Sequence, residues 1–323
     1  QLAHMNLHHP ELLDGAEAAL HCKDWLYLNL TGVRATDPSE ASFTFGNFRT
    51  RQYDPSVIEA LGLTGRRQLL PEIVEGTQVL HPLTNEASAQ TGLLAGTPVC
   101  LGYVDMVMTA LGAGVYGGSG DCACSIVGST GVHMRATHID GVHLNAEGTG
   151  YVMALPVKDT VVQAQTNMAA TLNLDWVLGL AADSMRTFGH EVTHRDLVGR
   201  VETWLSESRP GQILYHPYIS EAGERGPFVN ARARAGFTGL SANHRYADLV
   251  RSVVEGLGMA TRDCYLAMGG LPGELRISGG ASRSKSLRGI LSAAVGAPVR
   301  VSSREETGAA GAAMMAAIAL GAY

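Results

Sequence analysis

A chain of 323 residues is longer than one hydrophobic core usually serves, so two domains are expected. Hydrophobic residues at 46% exclude a disordered chain, and charged residues at 17%, below a norm of roughly 25%, point to extensive burial, including burial in a subunit interface. The net charge of -6, with no Lys/Arg run, argues against a nucleic-acid or anionic-membrane partner. The cysteines Cys22, Cys100, Cys122, Cys124 and Cys264 are odd in number, and Cys122 and Cys124 stand too close for a standard zinc pair. They read as reduced thiols of a cytoplasmic protein. No apolar run reaches the ~18 residues of a membrane span, and no signal-peptide pattern opens the chain. Helix-like sequence begins at once after Gln1, so the chain is expected to be the middle and end of a longer protein.

The spacing of residues 10–29 predicts a helix stopped by Gly32. TDPSEAS, residues 36–42, is expected to be a polar turn. Asp54-Pro55 combines an N-cap with proline at the first helical position and opens a helix to Leu61. A linker over 69–73 leads to a helix capped by Thr84 and closed near Gly92. Residues 98–104 are expected to form a buried strand with Asp105 at its end, followed by a helix from Met106. Five glycines between Gly112 and Gly120 mark the domain boundary, dividing 1–117 from 118–323. Beyond it, 122–127 and 132–136 suggest a hairpin around Gly128-Ser129-Thr130-Gly131. A strand over 151–155 follows, then helices over 167–186 and 195–205, a Gly/Arg-rich loop over 217–241 and an amphipathic helix over 244–268. The chain closes strand–helix–strand–helix. Interleaved strands and helices predict an α/β fold.

Several features could carry chemistry. Asp105 is expected at the carboxyl end of a strand, where open α/β sheets bind ligands, and its carboxylate could take a proton from a substrate hydroxyl. A helix N-cap is the plainer use of an aspartate there. In Gly128-Ser129-Thr130-Gly131, backbone N–H groups and hydroxyls can face phosphate oxygens, although a simple glycine turn has the same signature. Gly279-Gly280-Ala281-Ser282 joins a strand to a helix, where bare backbone and the positive helix end suit a nucleotide. Tight strand–helix packing would explain it equally well. The Ala/Gly run over 307–320 reads as a packing helix, with Glu305 and Glu306 at its positive end. Arg225, Arg232 and Arg234 could pair with phosphate, but solvated or ion-paired arginines fit better. His8, His9, His133, His138 and His143 lack metal-ligand spacing, so no direct protein–metal site is expected.

The order of these pieces is more specific than any one of them. KDWLYLNLTG, TDPSEAS, GTPVCLGYVDMVMTALGAG, GSTG, GERGPF, ISGGASRSKSLRGILSAAVGAPV and EETGAAGAAMMA together resemble the FGGY family of carbohydrate kinases over essentially the whole chain. HPYISEAGERGPF and VVEGLGMATRDCYLAM carry a narrower likeness, to members that phosphorylate erythritol. The resemblance implies two RNase H-like domains of the actin/Hsp70 type, the first incomplete, with ATP and a small polyol or sugar in the cleft between them. It makes Asp105 the base that contacts the acceptor hydroxyl. It makes Gly128, Ser129, Thr130 and Gly131 a phosphate loop, and Gly279, Gly280, Ala281 and Ser282 an adenosine segment. It implies Mg2+ arriving with ATP and reached from Asp105 through water, a cytoplasmic enzyme and a homodimer. Ser129-Thr130 departs mildly from the usual order of hydroxyl residues. The D-x-G-T phosphate loop that opens such kinases is missing, so these residues alone are expected to turn over poorly. A kinase for xylulose, ribulose or glycerol, and a non-catalytic sugar or nucleotide sensor, are the alternatives.

Overall fold

Apolar residues alternate along VHMRATH, while CACSIV is apolar almost throughout, the patterns of a two-faced and of a buried strand. The computed structural model, which describes residues 1–117, 119–302, 304 and 306–322, places these strands at the centre of a six-stranded sheet. Its strands are β1 (Ser119–Val127), β2 (Gly131–His138), β3 (Tyr151–Ala154), β4 (Thr160–Asn167), β5 (Glu274–Ser278) and β6 (Val299–Val301), in the order β6-β5-β1-β2-β4-β3. β1, β2, β4 and β3 pair antiparallel, while β5 runs parallel to β1 and β6 parallel to β5.

The principal helices are α1 (Cys22–Thr31), α2 (Pro38–Thr44), α3 (Asp105–Gly112), α4 (Thr171–Thr187), α5 (His194–Glu207), α6 (Tyr246–Ala267), α7 (Lys285–Val295) and α8 (Thr307–Ala319). One face of the sheet, through Ala123, Val127, Leu275 and Ile277, packs on the helices α4 to α7. The other face, through Cys124, Met134, Ala136, Val162 and Ala164, packs on α3 and on Met315 of α8. The chain before residue 113 contributes short helices and two-stranded ladders. No helix among the described residues is long and apolar enough to cross a membrane, and all five cysteines are free thiols.

The glycine-bounded helix at 85–91, the Asp54-capped helix and the GSTG hairpin form as expected. Other expectations are corrected. The helix expected over 10–29 breaks after Asp14, because the Ala19 N–H leaves the helical pattern to bond the Leu69 carbonyl at 2.8 Å. TDPSEAS is no polar turn: Asp37 caps the buried α2, whose Pro38 occupies the first turn. The strand expected over 98–104 covers only Pro98–Cys100, paired with Leu80–Pro82. Beyond it the backbone turns to other partners: Gly76 packs against the Leu101 carbonyl, and the Val104 N–H bonds Ser39 Oγ. Residues 69–73 include a short parallel pairing of Glu72–Ile73 with Ala35–Thr36, and the 217–241 loop holds Gly236–Thr238 paired with Leu214–His216. The helix expected from 167 starts at Thr171, because β4 precedes it. That strand escapes a hydrophobicity pattern because it buries Gln163 and Gln165. Their amide N–H groups donate to the carbonyls of His143 (2.7 Å) and Thr149 (3.1 Å), while Gln165 Oε1 has no hydrogen-bond partner among the described residues.

The Ala/Gly helix does pack closely. A Cβ on Gly112 of α3 would lie 1.8 Å from the Thr307 carbonyl oxygen, and one on Gly311 of α8 would lie 2.0 Å from that of Met108. Glycine at both positions is what permits this backbone-to-backbone crossing. Arg276 and Arg304 then donate to the Ala113 and Gly112 carbonyls, neutralising the carboxyl end of α3. Glu306 stands at the N-cap of α8 without a side-chain cap bond. Glu305 lies outside the described residues.

Candidate active site

β1 and β5 are parallel neighbours, with Ser278 opposite Ile126, so the turns that follow them emerge side by side. Gly279 adopts φ +90, and a Cβ there would sit 3.0 Å from the Val127 carbonyl oxygen. Gly279 is therefore required by the fold itself. Gly280 differs: it has no positive φ, and nothing lies within 4 Å of where its Cβ would be. It borders a cavity of about 440 Å³ lined also by Ser278, Ser282, Arg283, Ser302 and Glu306. Gly280–Arg283 form a short 3-10 turn that includes Ala281, and the Ser282 hydroxyl ties the turn shut by donating to the Gly279 carbonyl at 2.7 Å.

The helix after this turn does not offer a free N-terminus. Ser284 caps α7 by accepting from the Leu287 N–H. Glu202 of α5 accepts from Ser284 Oγ (2.8 Å), Ser286 N (3.0 Å) and Ser286 Oγ (2.6 Å). The Ser286 hydroxyl, first among these bonds, holds the Glu202 carboxyl below its usual range. The expectation of a ligand at the positive end of this helix is therefore corrected: an internal carboxylate already occupies it, and the open approach is over Gly280.

The Gly128–Gly131 loop is anchored by its carbonyls. Ala170 and Thr171, at the start of α4, donate to the Ser129 (2.7 Å) and Gly128 (2.9 Å) oxygens. Ser129 and Thr130 are exposed, and among the described residues neither hydroxyl has a protein partner. Their hydroxyls are thus left to the outside, an arrangement suited to an anion. Beneath the loop Gly131 is buried, with a Cβ position 2.9 Å from His133 Nε2. His133 Nε2 donates to Asn167 Oδ1 (2.8 Å), and Nδ1 lies 2.8 Å from Ser125 Oγ. Burial pushes this histidine down to about 4, so it stays neutral.

Asp105 is the first residue of α3, and Val104 rather than Asp105 takes the N-cap position. The carboxylate is exposed, with Oδ1 accepting from the Met106 N–H at 2.7 Å. The structure brings the two glycine loops together. Asp105 stands on a separate element, the helix packed on the face of the sheet opposite α4–α7, and makes no hydrogen bond to either loop.

Three groups of residues escaped the sequence. Lys23 Nζ bridges Asp24 Oδ1 and Asp37 Oδ2, each at 2.5 Å. His21 Nδ1 lies 3.3 Å from Asp24 and 3.0 Å from Glu40. Arg51 joins Glu75 (2.8 Å) and the Tyr103 hydroxyl. The third is Glu224, buried in the arginine-rich loop, where its Oε1 accepts from the N–H groups of Met168 and Arg225. Burial pushes the Glu224 carboxyl up despite these bonds. Asp37-Pro38 shows the same cap signature as Asp54-Pro55, so α2 was findable; the other groups depend on contacts distant in sequence. The loop's Arg225, Arg232 and Arg234 are exposed, and Arg234 bonds carbonyls of its own loop.

His21, Asp24 and Glu40 offer ligand atoms within 4.8 Å of one another. The carboxylates are already met by cations of the chain itself. Hydrogen bonds to Asp24 and Glu40 push His21 up to about 9, keeping it protonated, and the Lys23 ammonium occupies Asp24.

Residues 1–112 match the N-terminal domain of the FGGY family of carbohydrate kinases, and residues 120–320 match its C-terminal domain. The chain belongs to this family. It is 72% identical over 323 residues to erythritol kinase of Brucella abortus (strain 2308), an alignment covering all of this chain and 62% of that protein. It is 28% identical over 319 residues to xylulose kinase of Escherichia coli (strain K12), covering 97% of this chain and 62% of that one. Among solved structures, a xylulose kinase from Brucella ovis superposes with a TM-score of 0.84 at 25% identity, covering 100% of this chain and 64% of that chain. Plasmodium falciparum glycerol kinase with ADP superposes with a TM-score of 0.82 at 17% identity, covering 100% and 63%. The fold is accordingly the two-domain actin/Hsp70-like arrangement of these kinases. The chain spans a little under two thirds of the length of these relatives.

Proposed function

We propose that the full-length protein is an ATP-dependent polyol kinase that converts erythritol to erythritol 4-phosphate. The observation that carries this is the 72% identity to the Brucella abortus erythritol kinase across every residue of the chain. In this reading residues 1–117 belong to the acceptor-side domain and 118–323 form the nucleotide-binding domain.

Asp105 acts as the general base. Its exposed carboxylate takes the proton as the acceptor hydroxyl oxygen attacks the γ-phosphorus, the bond from that phosphorus to the β–γ bridging oxygen breaks, and ADP leaves. The exposed hydroxyls of Ser129 and Thr130 donate to phosphate oxygens. The adenosine lies over Gly280, where no side chain intrudes. Mg2+ bound with ATP supplies charge neutralisation; Asp105, a lone exposed carboxylate without an ion-pair partner among the described residues, suits a water-mediated contact to it. Little covalent chemistry is asked of the protein, so positioning dominates the rate.

The test is ATP consumption by the full-length protein over tetritols, pentitols, pentuloses and glycerol. Erythritol should give the highest kcat/KM. A higher value for xylulose, ribulose or glycerol would reassign the acceptor. Binding without turnover of any acceptor would favour a sensor.

A further inference from the structure

We propose that Ser39 is a positioning residue for Asp105, and that α2 is the strut through which the six-stranded sheet holds it. This rests on Asp105 being the general base. Ser39 is completely buried and its hydroxyl is used on both sides. The proton goes to Asp37 Oδ1, and the oxygen accepts the Val104 N–H at 2.9 Å. Val104 is the N-cap of α3, so this bond fixes the backbone one residue before the carboxylate that must meet the acceptor.

The hydroxyl is itself held. Asp37 Oδ1 accepts from the Ser39 N–H at 2.7 Å, and Asp37 Oδ2 pairs with Lys23, which also pairs with Asp24. Asp24 and Asp37 are both fully buried. Burying charge in this way is a poor source of stability, since apolar residues of similar volume would do as well. What such a network supplies is one fixed geometry, and here that geometry ends at Val104.

The far end of α2 reaches the nucleotide-side sheet. Ser42 Oγ accepts the Ala154 N–H of the edge strand β3 at 3.2 Å, and the Phe43 ring meets Tyr151 edge-on at 5.1 Å. A second brace runs alongside: Arg51 donates to the Leu155 carbonyl at 2.8 Å and to the Tyr103 hydroxyl. Residues 103 and 104 are thus held from residues 151–155 by two independent routes. Asp105 forms no bond to the phosphate loop; beside the packing of α3 on the sheet, these braces fix how one is set against the other.

The experiment uses the full-length protein with erythritol and ATP. Ser39→Ala should lower kcat by about 10- to 100-fold, the loss expected from a misplacement of about 1 Å, with both KM values within about twofold. In an Asp105→Asn background the same change should lower kcat by less than about threefold, because the group it positions is gone. Ser39→Thr, which keeps the oxygen, should recover much of the loss. Equal fold losses in the two backgrounds, or a loss shared by KM, would overturn the proposal and leave Ser39 a folding residue. Should Ser39→Ala not fold, Ser42→Ala runs the same comparison from the other end of α2. Near-normal turnover by Asp105→Asn alone would instead refute the base assignment, whatever Ser39 does.

Discussion

Replacing Gly311 with alanine tests whether α3 and α8 cross as closely as described. The new methyl would lie 2.0 Å from the Met108 carbonyl oxygen. Non-bonded heavy atoms settle near 3.5 Å, so α8 must withdraw by about 1.5 Å. Overpacking of this kind costs about 1–3 kcal/mol, offset in part by the gain of up to about 1 kcal/mol for Gly→Ala in a helix. The net loss should lower the melting temperature by about 2–8 °C. It should also lower turnover, since α3 carries Asp105. Gly289→Ala on α7 is the control: its Cβ meets nothing within 4 Å, so propensity acts alone and the melting temperature should rise by about 2–4 °C. Thermal unfolding followed by circular dichroism, paired with ATP turnover, reads both. If Gly311→Ala melts at or above the parent temperature with unchanged kcat, the close crossing is wrong.

Asp105→Asn should reduce kcat by about 10²-fold or more, the scale of general-base catalysis, with little change in ATP affinity measured by equilibrium binding. Unchanged turnover would leave the aspartate a helix-start residue only. Gly280→Val should fold normally, since the position is open, yet raise the KM for ATP by about tenfold (~1.4 kcal/mol) while sparing the KM for polyol. Equal weakening of both would indicate a folding defect. His133 gives a pH signature. Its folded pKa of about 4 lies below the ordinary 6.5, so the unfolded chain binds the proton first. Its contribution, about 3 kcal/mol at 1.36 kcal/mol per pH unit, is complete above pH 6.5 and is lost as pH falls towards 4. The stability gap between the parent and His133→Gln, from urea unfolding, should narrow over that range; a constant gap would show that His133 does not titrate this way.

The GSTG hairpin was legible because strand-like apolar segments on both sides leave only a short turn to place. The unequal roles of Gly279 and Gly280 were not, since they differ in φ and in what stands over each Cα. TDPSEAS misled because polarity is an ordinary sign of solvent, and here Lys23 satisfies the charge from within. β4 was missed for a related reason: buried glutamines bonded to backbone carbonyls erase the apolar pattern of a central strand. Asp105 stood out by its place before a helix, but the groups that hold the preceding residues Tyr103 and Val104, Glu75 and Ser39, lie far away in the chain.

Glu202 has a consequence for how a nucleotide can enter. A triphosphate is a polyanion at one end and uncharged at the other. The start of α7 looks like an anion site, yet Glu202 has already filled it with a negative charge. Phosphate arriving there would be repelled, while a neutral base and ribose would not. The hydroxyls of Ser129 and Thr130 carry no such guard. For the nucleotide proposed above, the two neighbouring turns would thus differ in charge, one carrying a carboxylate and the other open hydroxyls, which favours the phosphates at Ser129 and Thr130.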